Sequence, residues 1–245
     1  MTFLVFDIET RIDKALVRAT QFAGESLTDE AAYQRMADRL SSDGSGGFFP
    51  LTFHVPVSIV CGTVDDRYVL REVRDWRAER DGEEGIVRAF WAELERCDGV
   101  LVSFNGRGFD LPVLELQALR WGCSAPRYFG ERDGFRARYG RHFDLYDFLT
   151  NGGAARLRGG FDLLAKLSGL PGKVGTSGAD VQRLWDGGAC EAVHRYCRRD
   201  VIQTYFLFLR IEQLCGRLSP EDRAGAEAAS APFRAELISD DAAPG

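Results

Sequence analysis

Thr2-Phe-Leu-Val-Phe-Asp-Ile-Glu-Thr10 opens the chain with β-branched and aromatic residues set around two acids, and that pattern predicts a buried strand over residues 2–8. Side chains alternate across a strand, so Asp7 and Glu9 point one way while Phe6 and Ile8 point the other. Two carboxylates thus share one side at the end of a core strand. At about 4 Å such a pair repels by roughly 1 kcal/mol in water and about 4 kcal/mol at an intermediate dielectric, which invites a cation between them. Hard oxygen ligands of this kind suit magnesium or manganese. Alone, the pair is equally readable as a solvated strand terminus.

Two distant segments bear on the same question. Residues 190–214 carry Val193, Cys197, Val201 and Phe208 at helical spacing with no Pro or Gly inside, which predicts one long helix. Tyr196 and Asp200 lie four apart on it and share a face. In mid-chain, the apolar run Gly99-Val-Leu-Val-Ser-Phe104 predicts a strand, followed by the turn Asn105-Gly-Arg-Gly-Phe-Asp110 and a helix over 111–121 with Pro112 in its first turn. Asp110 can serve there as a first-turn charge on the helix dipole. It also stands at the carboxyl edge of a sheet, where α/β proteins place their chemistry.

Asp-x-Glu on a first strand, an aspartate after a glycine-rich turn and Tyr-x-x-x-Asp on a late helix together resemble the DEDD superfamily of 3'-5' exonucleases, tyrosine subclass. More closely, the chain resembles the bacterial predicted exonucleases related to the proofreading domain of family B DNA polymerases. The similarity spans about residues 2–216. It includes His142-Phe-Asp-Leu-Tyr-Asp-Phe-Leu149, Gly169-Leu-Pro-Gly-Lys173, Gly178-Ala-Asp-Val181 and the run from Tyr196 to Tyr205. In the histidine subclass the base precedes the last aspartate by five residues, a position held here by Arg195. His194 is one residue too early, about 100° around the helix. Tyr196 has the spacing of the tyrosine subclass. His54 and His142 have no second histidine or cysteine at ligand spacing.

The resemblance implies an α/β, ribonuclease H-like fold with a mixed central sheet flanked by helices. It implies a metal-dependent 3'-5' exonuclease that hydrolyses terminal phosphodiesters of single-stranded nucleic acid, DNA favoured, to nucleoside 5'-monophosphates. The ligands of two Mg2+ or Mn2+ ions would be Asp7, Glu9, Asp110 and Asp200, with Asp7 bridging and Asp110 acting through water. Tyr196 would orient the attacking water and help remove its proton. Thr10, Asn105 and Phe109 are expected contacts to the terminal nucleotide. The alternatives are a non-catalytic nucleic-acid-binding module on the same fold and a structure-specific endonuclease.

A chain of 245 residues suits one core with insertions. No run of about 20 apolar residues is present for a membrane span, and Met1-Thr2 leads straight into the first strand. The six cysteines form no Cys-x-x-Cys pair, which fits a reduced cytoplasm. The expected partners are single-stranded DNA or RNA 3' ends, with no membrane. A net charge of -6 argues against a broad duplex-binding surface. Residues 120–141 nevertheless interleave Arg120, Arg127, Arg132, Arg136, Arg138 and Arg141 with Trp121, Tyr128, Phe129, Phe135 and Tyr139. That segment reads either as a single-strand platform or as an Arg-rich loop over core aromatics.

Strands are further predicted over 55–64 and 67–73, paired as an antiparallel hairpin across Asp65-Asp66, and a helix over 83–97. Short helices are expected near 145–149, 161–167 and 179–185. Residues 11–50 read as an insertion, helical and charged to Leu40 and then broken at Ser41-Ser-Asp-Gly-Ser-Gly-Gly47, a mobile lid or a plain surface excursion. A catalytic domain over 1–216 is followed by an acidic tail, 217–245, expected to be disordered or loosely docked. Gly169-Leu-Pro-Gly-Lys173 fails as a phosphate loop, because Leu167 and Val174 stand where glycine and a hydroxyl residue are needed. Gly106-Arg-Gly108 lacks the third glycine of a dinucleotide turn, since Leu111 stands there.

Overall fold

The computed structural model describes residues 1–42, 47–130, 132, 134–137, 140–172 and 178–239. Five strands form one mixed sheet: β1 (Phe3–Ile12), β2 (His54–Val64), β3 (Leu70–Arg77), β4 (Val100–Ser103) and β5 (His142–Asp144), in the order β3-β2-β1-β4-β5. β1 is antiparallel to β2 and parallel to β4; β2 and β3 are antiparallel, and β4 and β5 parallel. A three-strand meander extended by two parallel strands, with helices on both faces, is the ribonuclease H-like arrangement.

Twelve helices accompany the sheet among the described residues: α1 (Lys14–Gln21), α2 (Asp29–Ser42), α3 (Ala78–Asp81), α4 (Glu83–Arg96), α5 (Asp110–Trp121), α6 (Pro126–Gly130), α7 (Leu145–Leu149), α8 (Gly160–Leu167), α9 (Val181–Asp186), α10 (Cys190–Leu214), α11 (Pro220–Ala229) and α12 (Ala231–Ser239). None is long and apolar enough to cross a membrane.

Strand alternation sorts β1 between two cores. Phe3 and Val5 pack with Val201, Tyr205 and Phe208 of α10, whereas Leu4, Phe6 and Ile8 pack with Phe90 and Trp91 of α4 and Leu114 of α5. Asp7 and Glu9 continue the row that faces α10. β1 runs four residues past its expected end, so the two acids sit inside the strand. They lie beyond its last pair with β4, Val5↔Val102. The β1–β2 register slips between Glu9 and Thr10, where Pro56 enters the ladder without an N–H to donate.

β3 starts at Leu70, three residues later than expected. The Asp65 carboxylate accepts the amides of Arg67 and Val69, each at 2.9 Å, and Tyr68 takes a left-handed φ of 64°, so this stretch is committed to the turn. The 11–50 insertion is a packed unit: α1 and α2 enclose Ile12, Val17, Phe22, Ala32 and Met36 with Phe49 and Phe53. The Gly-Ser segment expected to be flexible falls on residues 43–46, outside the described residues.

The expectation of a disordered or loosely docked tail is corrected over 220–239, which forms α11 and α12 against α10. Leu237 and Ala226 are buried in the α10-side core. Ser230 accepts the Leu70 amide at 3.1 Å and meets the Tyr205 hydroxyl at 2.8 Å. Residues 240–245 lie outside the described residues.

In the Arg-rich segment, Tyr128 and Phe135 belong to the α4-side core, and Phe129 is half exposed. Arg120, Arg127 and Arg136 pair with Asp13, Asp98 and Glu115, and Arg141 donates to the carbonyls of Cys97 and Gly99. The described part is therefore a cationic cover over core aromatics. Arg132 is exposed and Trp121 ends α5, while Arg138 and Tyr139 of the expected platform lie outside the described residues.

Candidate active site

Asp7 and Glu9 reach the same side of β1 by strand alternation, and α10 lies across that side. Its Asp200 brings a third carboxylate, so that one oxygen from each of Asp7, Glu9 and Asp200 lies within 4.8 Å of the others. Cys197, one turn earlier, places its thiol 3.6 Å from Asp7 Oδ2 and 3.5 Å from the Asp7 carbonyl. Burial, followed by the charges of Asp7 and Glu9, raises the Cys197 thiol well above its ordinary value, so it stays protonated beside the trio. The donor set facing the gap is all carboxylate oxygen, which fits hard divalent ions such as magnesium or manganese.

Asp110 enters from the opposite face. It is the first residue of α5, fully buried, and its Oδ1 accepts the Ile8 amide at 3.1 Å, a donor left beyond the end of the β1–β4 ladder. Burial pushes the Asp110 carboxyl up to about 7 against the lowering pull of that amide, and Asp144 and Asp200 add to the rise. Asp110 stands outside the tight trio but lines the same cleft, about 460 Å³, with Asp7, Glu9, Tyr196 and Asp200.

The turn that delivers Asp110 is closely built. Asn105 adopts a left-handed φ of 64°, and its carbonyl accepts the amides of Gly108 and Phe109 at 2.9 and 3.1 Å. A β-carbon at Gly106 would stand 2.4 Å from Ser103 Oγ and 2.7 Å from its Cβ, so glycine is required there, and one at Gly108 would stand 2.6 Å from Asn105 Oδ1 and force that side chain to move. Asp144, at the end of β5, holds the turn from below. Its two oxygens accept the amides of Asn105 and Arg107, each at 2.9 Å, and one of them also caps α7 through the Tyr146 amide at 3.0 Å. Asp144 lies within the quoted 142–149 segment, but its function is invisible there because a three-residue strand has no periodicity to read.

Tyr196 is buried at one wall of the cleft, which Asp200 also lines. Burial first, then the charges of Asp200, Glu9 and Asp7, drive its pKa far above the phenolic range, so the group holds its proton. His194 is directed elsewhere and meets Glu79 at 2.7 Å. Asn105 and Phe109 line the cleft, as does Phe48 from the insertion. Thr10 is not among the lining residues; its hydroxyl meets His54 Nδ1 at 2.8 Å. Phe48 was not anticipated, since it follows a Gly-Ser break with no repeating pattern.

Carboxylates carried by β1, α5 and α10 thus line one cleft. The chain belongs to the family of predicted 3'-5' exonucleases related to the exonuclease domain of PolB, whose model matches residues 46–237. The matched span contains Asp110, Tyr196 and Asp200 and begins after β1. Among solved structures, exonuclease I resembles 86% of this chain and 43% of its own length at 14% identity, with a TM-score of 0.40. The zinc-bound E. coli exonuclease I complex with single-stranded DNA gives 89% and 45% at 14% identity and a TM-score of 0.38. The chain thus spans less than half the length of either. No curated protein matches it.

Proposed function

We propose that this chain is a metal-dependent 3'-5' exonuclease of the tyrosine subclass, acting on single-stranded nucleic acid, DNA favoured, and releasing nucleoside 5'-monophosphates. The observation that carries the proposal is the convergence of Asp7, Glu9 and Asp200 within 4.8 Å, beside a cleft that Asp110 and Tyr196 also line. Asp7, Glu9 and Asp200 would hold one divalent ion, magnesium or manganese. Asp7 would also reach a second ion, which Asp110 would hold through water, because one Asp110 oxygen already serves Ile8. Ions so bound lower the pKa of a coordinated water and offset charge on the departing 3' oxygen.

The rest falls to the chain's own groups. Tyr196, protonated in the metal-free site, would orient the attacking water; with bound cations lowering its pKa it would first release its own proton to solvent and, as phenolate, accept the proton of that water. Asn105 and Phe109 would contact the terminal nucleotide, while Thr10 would act indirectly through His54.

The test supplies 5'-labelled single-stranded DNA and RNA to the wild type and to Asp200→Ala, with magnesium, manganese or chelator. The expected result is a ladder shortening from the 3' end, with metal only and in the wild type only. Intact strands under all conditions would leave a binding module, and cutting of circular single strands would point to an endonuclease.

A further inference from the structure

Five aromatic residues line the cleft: Phe48, Phe104, Phe109, Phe161 and Tyr196. Four are committed to packing or to the acids. Phe104 meets Tyr146 and Phe161 edge-on at 5.5 and 4.9 Å, Phe161 is buried, Phe109 packs against the α4-side core, and Tyr196 is buried in that core beside the acids. Phe48 differs, being 56% exposed.

Its posture is nonetheless fixed. One face rests on the His54 imidazole, centroids 5.2 Å apart at an interplanar angle of 24°, and its ring meets Phe109 at 5.7 Å and 69°. His54 is itself clamped by Thr10 Oγ1 at 2.8 Å, by the Phe49 carbonyl at 3.2 Å and edge-on by Phe109 at 5.1 Å. His54 backs one face of the ring, and Phe48, although so backed, stays 56% exposed where it lines the cleft. A flat apolar ring, backed on one side and exposed in the cleft that the carboxylates line, is a stacking platform for a planar group.

We infer that Phe48 stacks on the base of the 3'-terminal nucleotide, so that the insertion supplies a base-holding wall to a phosphodiester site built by the sheet. This rests on the proposed nuclease reading, and it extends that reading to a residue outside the three acidic segments. Stacking is indifferent to base identity, so Phe48 favours a terminal base over none without choosing among the four. Thr10 and His54 position the ring.

A strand ending in 2-aminopurine, its last linkage replaced by a hydrolysis-resistant methylphosphonate, reports stacking directly through fluorescence. With magnesium, the wild type is expected to quench it on binding. Phe48→Ala is expected to lose the quench and to bind roughly 5- to 100-fold more weakly, while Phe48→Trp restores both. A strand whose terminal nucleotide lacks a base should bind wild type and Phe48→Ala with equal, reduced affinity. Equal quench and affinity for the 2-aminopurine strand in wild type and Phe48→Ala, with the wild type still degrading ordinary strands, overturns the inference and leaves the nuclease reading intact. A wild type that neither binds nor degrades any strand overturns both.

Discussion

Tyr196 and Asp200 are one helical turn apart yet differ in what their loss should cost. The phenol keeps its proton in the metal-free site and acts by orientation and by assisting proton removal, so Tyr196→Phe is expected to lower single-turnover cleavage by about 10²-fold or more. Asp200→Asn removes a charge from the trio proposed to hold an ion and should reduce cleavage further, to background. Full activity in Tyr196→Phe would remove the phenol from the mechanism. A different residue sets the response to pH. His142 is fully buried against Ser103 Oγ at 2.8 Å, and burial, with Arg107 nearby, holds its pKa well below the usual value. The unfolded chain therefore takes up this proton first as pH falls, so the stability that neutral His142 contributes is present above about pH 6.5 and lost below it. The slope reaches roughly 1.4 kcal/mol per pH unit. His54, also lowered by burial, acts in the same window. Melting curves from pH 8 to 5 should show this decline, and His142→Asn should flatten it; an unchanged slope in the variant would assign the decline to other groups.

The turn between β4 and α5 shows how a short element can depend on one distant carboxylate. Asp144 accepts the amides of Asn105, Arg107 and Tyr146, so Asp144→Ala leaves those donors without the acceptor that joins β5, α7 and the turn. A loss of about 3 kcal/mol in urea denaturation is expected, because hydrogen bonds to a charged group are involved and buried donors are left unpaired. Cleavage should fall even where the variant remains folded, because the turn also places Asp110. A change under about 0.5 kcal/mol, typical of surface substitutions, would show that the turn holds itself. The long elements were legible in the sequence: Val193, Cys197, Val201 and Phe208 marked α10, and the alternation around Asp7 correctly placed both acids on one side of β1. β5 was not, since three residues carry no period. The tail was misread because composition outweighed local signals. Ser219, whose Oγ accepts the Asp222 amide at 3.0 Å, followed by Pro220, is a helix start, and the unbroken apolar run Tyr205-Phe-Leu-Phe-Leu209 of α10 needs a cover on more than one face. Spacing placed Asp7 with Glu9 and Tyr196 with Asp200, but the grouping of these residues with Asp110 was expected only from the family resemblance, whereas Phe48 follows a stretch that offers neither motif nor period.

At the scale of the whole molecule, the site joins a strand near the beginning of the chain to a helix near its end, with α11 and α12 holding that helix from behind. Asp7, Glu9 and Asp200 repel one another across this junction; at about 4 Å a single pair opposes folding by roughly 4 kcal/mol at an effective dielectric of about 20. An ion bound only by the folded chain relieves that repulsion, a gain already contained in its affinity, and stabilises the fold by about 2.7 kcal/mol in all at a hundredfold excess over Kd. For a domain of this size each kcal/mol moves the melting temperature by about 2–4 °C, so saturating magnesium or manganese should raise it by roughly 5–10 °C. Asp7→Asn keeps the shape of the side chain while deleting one of the repelling charges. Its metal-free form should therefore melt at or above the metal-free wild type, and its gain with metal should be smaller. Loss of a purely structural carboxylate would instead lower the melting temperature with or without metal and leave the metal-induced shift unaltered. Calorimetric scans of both proteins, with chelator and with millimolar metal, separate the two patterns, and a wild type indifferent to either metal would contradict the ion-holding assignment of all three carboxylates.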